Sequence, residues 1–271
     1  KVTIKSTSRI LALDLYGTLS RTLIGLGLGD KIVGRTVSST EKQLHDRPVV
    51  TENGHVLNVE AVAGLKPSVI IADRSVGPKE ALDQLRKSGI PVVLVDPHRS
   101  VGSTPQLIRT IAEAVGKPDA GEALVKRTQE QIDQAKKQIA AWKPAKPMRV
   151  AFLYVRGNAG VFFILGSENG ASELIQGVGA DDVASDKGIT TLVPANAESL
   201  VSINPDAIFV MRDGLASTGG MKGLLARAGV ANTTAGRKQR VISIPDGISL
   251  SFGPQTGEVL TAVAKALYGV K

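Results

Sequence analysis

Residues 119–142 read DAGEALVKRTQEQIDQAKKQIAAW, and this stretch decides how the chain is organised. Leu124, Thr128, Ile132, Ala135, Ile139 and Trp142 follow one another at steps of three and four, which makes one stripe on a helix. Asp119 with Glu122 reads as an N-terminal cap and its reciprocal acid. Pro118 precedes the stretch, and Pro144 and Pro147 follow it, so helix is barred on both sides. At 1.5 Å per residue such a helix spans roughly 35 Å. About as much chain lies before it as after it, and it is read as a strut between two lobes.

Outward from this helix, short apolar runs alternate with amphipathic ones. Arg9–Leu13, Ile32–Val33, Val69–Ala72 and Val92–Val95 are strands before it; Leu19–Leu28, the segment capped by Asn58, Lys79–Ser88 and Leu107–Val115 are helices. Between them His45–His55 is polar and turn-rich, with Pro48 and Asn53-Gly54. After it the same grammar restarts: strands at Arg149–Val155, Ala207–Met211 and Val241–Ile244, helices at Ala171–Gly177, Ala195–Ile203 and Leu224–Ala228, and a terminal helix opened by Pro254. Leu57–Ala72 (LNVEAVAGLKPSVIIA) repeats as Ala195–Val210 (ANAESLVSINPDAIFV); Glu60 matches Glu198 and Pro67 matches Pro205, an offset of 198 − 60 = 205 − 67 = 138. The expected fold is therefore two similar α/β lobes, each with a mostly parallel sheet, joined by one long spine helix, with ligand in the inter-lobe cleft. The expected bounds are 1–117 for the N-terminal lobe, 118–147 for spine and connection, and 148–271 for the C-terminal lobe.

Composition narrows the classes. The 271 residues are 42% hydrophobic and 3% aromatic, with no apolar run long enough to span a bilayer. There is no cysteine, which removes disulfides, thiolate metal sites and cysteine nucleophiles. The net charge is +8, but Lys and Arg are scattered and do not interleave with aromatics, which argues against nucleic acid and for an anionic small ligand or cell envelope.

Two motifs compete for attention. Gly25, Gly27 and Gly29 follow a helix and precede a strand, the reverse of a dinucleotide site, so they read as a helix end and turn. LALDLYGTL resembles the first motif of haloacid-dehalogenase-like hydrolases, with Asp14 as nucleophile; the remaining acids are out of order, and Asp14 and Thr18 read first as caps of the helix that follows.

The residues chosen as a site are His55, Tyr154 and Arg156. In RVAFLYVRG side chains alternate, so Val150, Phe152, Tyr154 and Arg156 share a strand face and a guanidinium stands next to a phenol at the carboxyl end. A nearby cation favours the phenolate, an oxygen donor suited to ferric iron. His55 lies in a loop of the first lobe, three residues before Asn58. Phe162, Phe163 and Leu165 are read either as pocket wall or as core, and Tyr16 and His98 as loop residues that could replace a ligand.

RILALDLYGTLSRTLIGLGLGDKIVG, LKPSVIIA, INPDAIFV and GPQTGEVLTAVAKAL are similar to recurring elements of the helical-backbone, periplasmic-binding-protein-like family that serves siderophore, cobalamin and haem ABC importers. TENGHVLNVE and FLYVRGNAG resemble the actinobacterial (corynebacterial) haem-binding lipoproteins within it. The resemblance implies a haem receptor and no enzyme. His55 and Tyr154 would be axial ligands of the haem iron, with Arg156 hydrogen-bonded to Tyr154. The partners implied are haem, the permease and ATPase of an ABC importer and upstream haem-binding surface proteins, for a monomer anchored by an N-terminal lipid outside the cell membrane. Glu80 fits the family's permease-docking position in the first lobe; its repeat equivalent, 80 + 138 = 218, is Thr218. A ferric siderophore or cobalamin is the alternative cargo.

Overall fold

The computed structural model describes residues 3–52, 55–157 and 160–270. Asn53-Gly54, expected as a turn, and two residues of the FLYVRGNAG motif, Asn158 and Ala159, lie outside them. The chain divides into two compact units: one runs up to Glu130 and takes back Ser251–Thr256, the other is Gln131–Leu250 with the chain from Gly257 on.

The first unit runs β1 (Ile10–Leu13), α1 (Thr18–Gly25), β2 (Ile32–Gly34), β3 (Thr51–Glu52), β4 (Val56–Leu57), α2 (Val59–Gly64), β5 (Val69–Ala72), α3 (Lys79–Lys87), β6 (Val92–Leu94) and α4 (Thr104–Ala114). Its main sheet has the order β2-β1-β5-β6 and every pairing is parallel. Ile10, Ala12, Val69 and Ile71 enter one core with residues of α1 and α4. Leu11, Leu13, Ile70 and Ala72 enter another with residues of α2 and α3. The strands read as unbroken apolar runs because both faces are covered.

Next comes α5 (Pro118–Trp142), 25 residues long. Its carboxyl-terminal part, from Gln131, belongs to the second unit. Leu124, Thr128, Ile132, Ala135 and Ile139 are all buried, as the stripe requires. Pro118 is the first helical residue, where a missing N–H costs nothing. Glu122, read as the reciprocal acid of a cap, is engaged instead by Arg109 of α4: Nε to Oε1 is 2.7 Å and Nη2 to Oε2 is 3.1 Å. A two-pronged guanidinium–carboxylate contact outcompetes a single backbone N–H.

The second unit runs β7 (Arg149–Arg156), β8 (Val161–Ile164), α6 (Ala171–Gly177), β9 (Asp181–Asp182), β10 (Val193–Pro194), α7 (Ala197–Ile203), β11 (Ala207–Met211), α8 (Arg212–Ser217), α9 (Gly220–Leu225), α10 (Thr234–Arg237), β12 (Val241–Ile244) and α11 (Thr256–Tyr268). The sheet order is β10-β8-β7-β11-β12, with β9 also beside β7. Strands β7, β11 and β12 are parallel, whereas β8 and β10 are antiparallel additions. The terminal helix starts at Thr256, two residues after Pro254.

The internal repeat extends to backbone detail. Asn58 caps α2 by accepting from the N–H of Ala61 at 2.8 Å, and Asn196 caps α7 by accepting from Ser199 at 2.8 Å (196 − 58 = 138). Lys66 has φ 47° and Asn204 has φ 34°, again 204 − 66 = 138. Each stands before a proline, Pro67 or Pro205, which disfavours the right-handed helical region for the preceding residue.

Candidate functional site

In a parallel sheet the loops that follow the strands gather at its carboxyl edge, where ligands bind in α/β folds. In the first unit these loops are tied together by one buried polar chain. Arg99, after β6, donates from Nη2 to Oδ2 of Asp73, after β5. The other Asp73 oxygen accepts from the N–H of Ser75 at 2.8 Å and from its hydroxyl. The Ser75 hydroxyl oxygen in turn accepts from the N–H of Leu15, after β1, at 2.8 Å.

Asp14 lies beside this chain and is fully buried. Its Oδ2 accepts from the N–H of Thr18 at 2.8 Å at the start of α1, as half of the cap reading expected; the N-cap position is Gly17, and Thr18 is the first helical residue, its hydroxyl capping nothing. Burial, and then the charge of Asp73, push its pKa up to about 7, with Arg99 opposing. A carboxyl with no exposure and a capping bond is poorly placed to attack a substrate. In the second unit Asp182, of the adjacent acidic pair Asp181-Asp182, is likewise occupied, accepting from the hydroxyl of Ser172 and the N–H of Ala184. Among the described residues no group of three or more His, Cys, Asp or Glu side chains could hold a metal ion.

His55 stands exposed next to β4, whose pairing with β3 sets Glu52 opposite Val56. The carbonyl of His55 accepts from the N–H of Gly77 at 3.0 Å, and Leu57 donates to the carbonyl of Gly77 at 2.6 Å. These bonds fix the His55 segment to the loop after β5, at the carboxyl edge. Apolar side chains surround the same edge without cover: Leu15 is 36% exposed, Val37 48%, Val49 43% and Val56 36%. Val37 is anchored there by its N–H, which donates to the Thr51 hydroxyl at 3.0 Å. Tyr16 is half-buried and its hydroxyl pKa is raised, chiefly by burial. His98 is exposed in the loop after β6, with its N–H on Asp96.

In the second unit Tyr154 is half-buried on β7, opposite Phe163 of β8. Arg156, two residues on, places its guanidinium carbon 5.0 Å from the centre of the Tyr154 ring, a cation–π contact. Its Nη2 donates to Oδ1 of Asp246 at 2.6 Å. The strand alternation was legible in the sequence; the contact over the ring face and the Asp246 partner were not. Gly157, next in the chain, donates its N–H to the Ser217 hydroxyl at 2.9 Å, and its carbonyl accepts from Arg227. Phe162 and Leu165, read as either wall or core, are core, while Phe163 is half-buried on the Tyr154 side of the pairing.

His55 thus belongs to the first unit, and Tyr154 and Arg156 to the second. Glu80 is exposed in the first turn of α3, whereas Thr218 is buried behind α8. The sequence reading missed Asp246, which lies 90 residues from Arg156, and the exposed apolar side chains of the first unit's loops. No local pattern marks either, since each contact is made by loops distant in sequence.

Comparison with known proteins extends this picture. The family model described as periplasmic binding protein matches residues 15–247. The crystal structure of heme-binding protein HmuT superposes with a TM-score of 0.97 at 50% identity, over 100% of this chain and 87% of that one. HmuT has also been solved with single alanine substitutions of a histidine, a tyrosine and an arginine. In that protein the tyrosine stands 99 positions after the histidine (240 − 141) and the arginine two after the tyrosine (242 − 240). The periplasmic heme-binding protein RhuT from Roseiflexus sp. RS-1 gives a TM-score of 0.90 at 32% identity, over 97% of this chain and 99% of that one. The ABC transporter substrate-binding lipoprotein YvrC of Bacillus subtilis strain 168, itself uncharacterized, is 27% identical over 98% of this chain and 82% of its own length. The arrangement of parallel sheets, repeated caps and edge loops, together with this match across most of its length, makes the chain a member of the periplasmic binding protein family.

Proposed function

We propose that this protein is an extracytoplasmic receptor that binds one ferric haem and delivers it to the permease and ATPase of an ABC importer. His55 and Tyr154 are the axial ligands in this reading, and Arg156 supports Tyr154. The observation that carries it is the Tyr154–Arg156 pair at the end of β7, with His55 at the matching distance: 154 − 55 = 99 and 156 − 154 = 2, the spacings of the substituted residues in HmuT.

The chemistry fits. A phenolate is a hard anionic donor for ferric iron, and the Arg156 guanidinium lies 5.0 Å from the centre of the Tyr154 ring. The uncovered Leu15, Val37 and Val56 offer the apolar contact a porphyrin face requires. Two axial protein ligands leave the iron no open position for oxygen chemistry, which suits carriage. In this reading the N-terminal lobe, 1–117, supplies His55 and the C-terminal lobe, 148–271, supplies Tyr154 and Arg156, with 118–147 as spine and connection. Glu80 is exposed and available for permease docking; Thr218, being buried, is no acidic counterpart. The YvrC likeness supports lipid anchoring at the membrane's outer face, and upstream haem-binding surface proteins and a monomeric state complete the proposal.

The test is a hemin titration by absorbance on wild type, His55→Ala and Tyr154→Ala. Saturation at one haem per chain, with a Soret band shifted or lost in both variants, supports the two-ligand site. A wild type without a specific spectrum refutes it, and a ferric siderophore or cobalamin then becomes the cargo to try. A spectrum altered by Tyr154→Ala alone removes His55 from the iron.

A further inference from the structure

We infer that Asp246, with Gly214, is what positions Arg156 at Tyr154; this inference rests on the haem reading of Tyr154 above. An arginine at the end of a strand has four rotatable side-chain bonds and no reason of its own to lie over a neighbouring ring. Here it is held from several sides. Nη2 donates to Oδ1 of Asp246 at 2.6 Å and approaches Sδ of Met211 at 3.4 Å, and Nη1 donates to the carbonyl of Val155 at 3.2 Å. Asp246 is itself held, because its Oδ2 accepts from the N–H of Asp213 at 2.8 Å. One carboxylate therefore links the start of α8 to the end of β7.

Gly214 supplies the space. A Cβ at that position would stand 2.3 Å from Nη1 of Arg156 and 2.5 Å from the carbonyl oxygen of Val155, closer than real atoms approach. The φ of Gly214 is not in the left-handed region, so its lack of a side chain is explained by this contact and not by a turn. A larger residue must displace the guanidinium from its place 5.0 Å from the centre of the Tyr154 ring, or push α8 off the Val155 carbonyl.

The consequence for a bound ferric haem follows from donor count. A guanidinium carries five N–H donors, and one carboxylate does not exhaust them. Asp246 balances the charge of Arg156 and holds its guanidinium over the Tyr154 ring. Partners of this kind orient a metal ligand, and their loss weakens the metal site without touching the metal. Asp246 and Gly214 are thus positioning residues.

The first measurement needs no haem. The Nε–Hε resonance of Arg156 in ¹⁵N-labelled protein is assigned by its loss in Arg156→Lys, and its ring-current shift by the change in Tyr154→Leu. In Asp246→Ala and in Gly214→Ala the resonance is expected to move to its Tyr154→Leu position, and in Asp246→Glu to stay near wild type. An unmoved resonance in Asp246→Ala overturns the proposal. Circular dichroism confirms folding, and Asp246→Asn replaces any variant that does not fold. The second measurement is hemin titration of the same proteins. Asp246→Ala is expected to weaken binding by roughly 10- to 100-fold and to shift the Soret band as Arg156→Ala does. The double variant Asp246→Ala/Arg156→Ala should bind no more weakly than Arg156→Ala alone; fully additive losses also overturn the proposal. If wild type takes up no haem, the functional reading fails while the resonance data still decide the positioning role.

Discussion

Arg99 and Asp73 form an ion pair with both side chains almost completely removed from solvent, 3% and 0% exposed. The pair joins the loops after β6 and β5 and, through Ser75, the loop after β1. Removing one member strands the other as an uncompensated buried charge. Arg99→Ala should therefore cost about 3–5 kcal/mol in urea unfolding. A loss below about 1 kcal/mol would show that these loops are held by other contacts.

The buried Asp14 sets a pH dependence whose sign can be worked out. Its carboxyl titrates at about 7 when folded, against 3.8 ordinarily. Between those values the unfolded chain has released the proton and the folded protein keeps it, so stability falls as pH rises from about 4 to about 7 and levels off above. A shift of 7 − 3.8 = 3.2 corresponds to on the order of 4 kcal/mol. Asp14→Asn keeps an oxygen acceptor for Thr18 and removes the titration. Its urea midpoint should be flatter from pH 4 to 8 than that of wild type; equal slopes would clear Asp14 of the effect.

The uncovered valine beside His55 gives a prediction for ligand binding. Val56→Asp places a charge at one of the exposed apolar side chains, with Leu15 and Val37, proposed to meet the porphyrin. Losing one buried aliphatic contact costs about 1.5–3 kcal/mol, so hemin should bind roughly 10- to 100-fold more weakly. The melting temperature should change little, because Val56 is already 36% exposed. Unchanged hemin affinity would place the porphyrin elsewhere.

The repeated left-handed residues behave differently on substitution. Lys66 has φ 47°, and glycine adopts that region without penalty, so Lys66→Gly should stabilise by about 0.5–1 kcal/mol. Asn204 has φ 34° but also accepts from the N–H of Thr234 at 2.8 Å through its side chain. Asn204→Gly relieves the backbone and loses that bond, and the two effects should nearly cancel. Denaturation midpoints of both variants check this; a stabilised Asn204→Gly would mean the bond to Thr234 contributes nothing.

Much of the fold was legible because it depends on local pattern. The stripe from Leu124 to Ile139 and the apolar runs at Ile10–Leu13 and Val69–Ala72 follow from which faces must be covered, and the cap at Asn58 from its place before a helical run; the matching cap at Asn196 was read as part of the helix. The antiparallel β8 was not read from the sequence. VFFI has no alternation that separates a strand from the core segment it also resembles, and its place is set by pairing with β7. Ends of elements moved by up to four residues, as at α4, which begins at Thr104 and not at Leu107, and α9, which begins at Gly220 and not at Leu224.

The sequence by itself determined the strand–helix alternation, the repeat at 138 residues and the neighbourhood of Tyr154 and Arg156, because each depends on residues a few positions apart or on self-similarity. Only the tertiary structure decided that Arg156 lies on Asp246, that Asp73 faces Arg99 and that Leu15, Val37 and Val56 stay uncovered around one edge. Those contacts join loops brought together by packing, and no local periodicity specifies a partner 90 residues away.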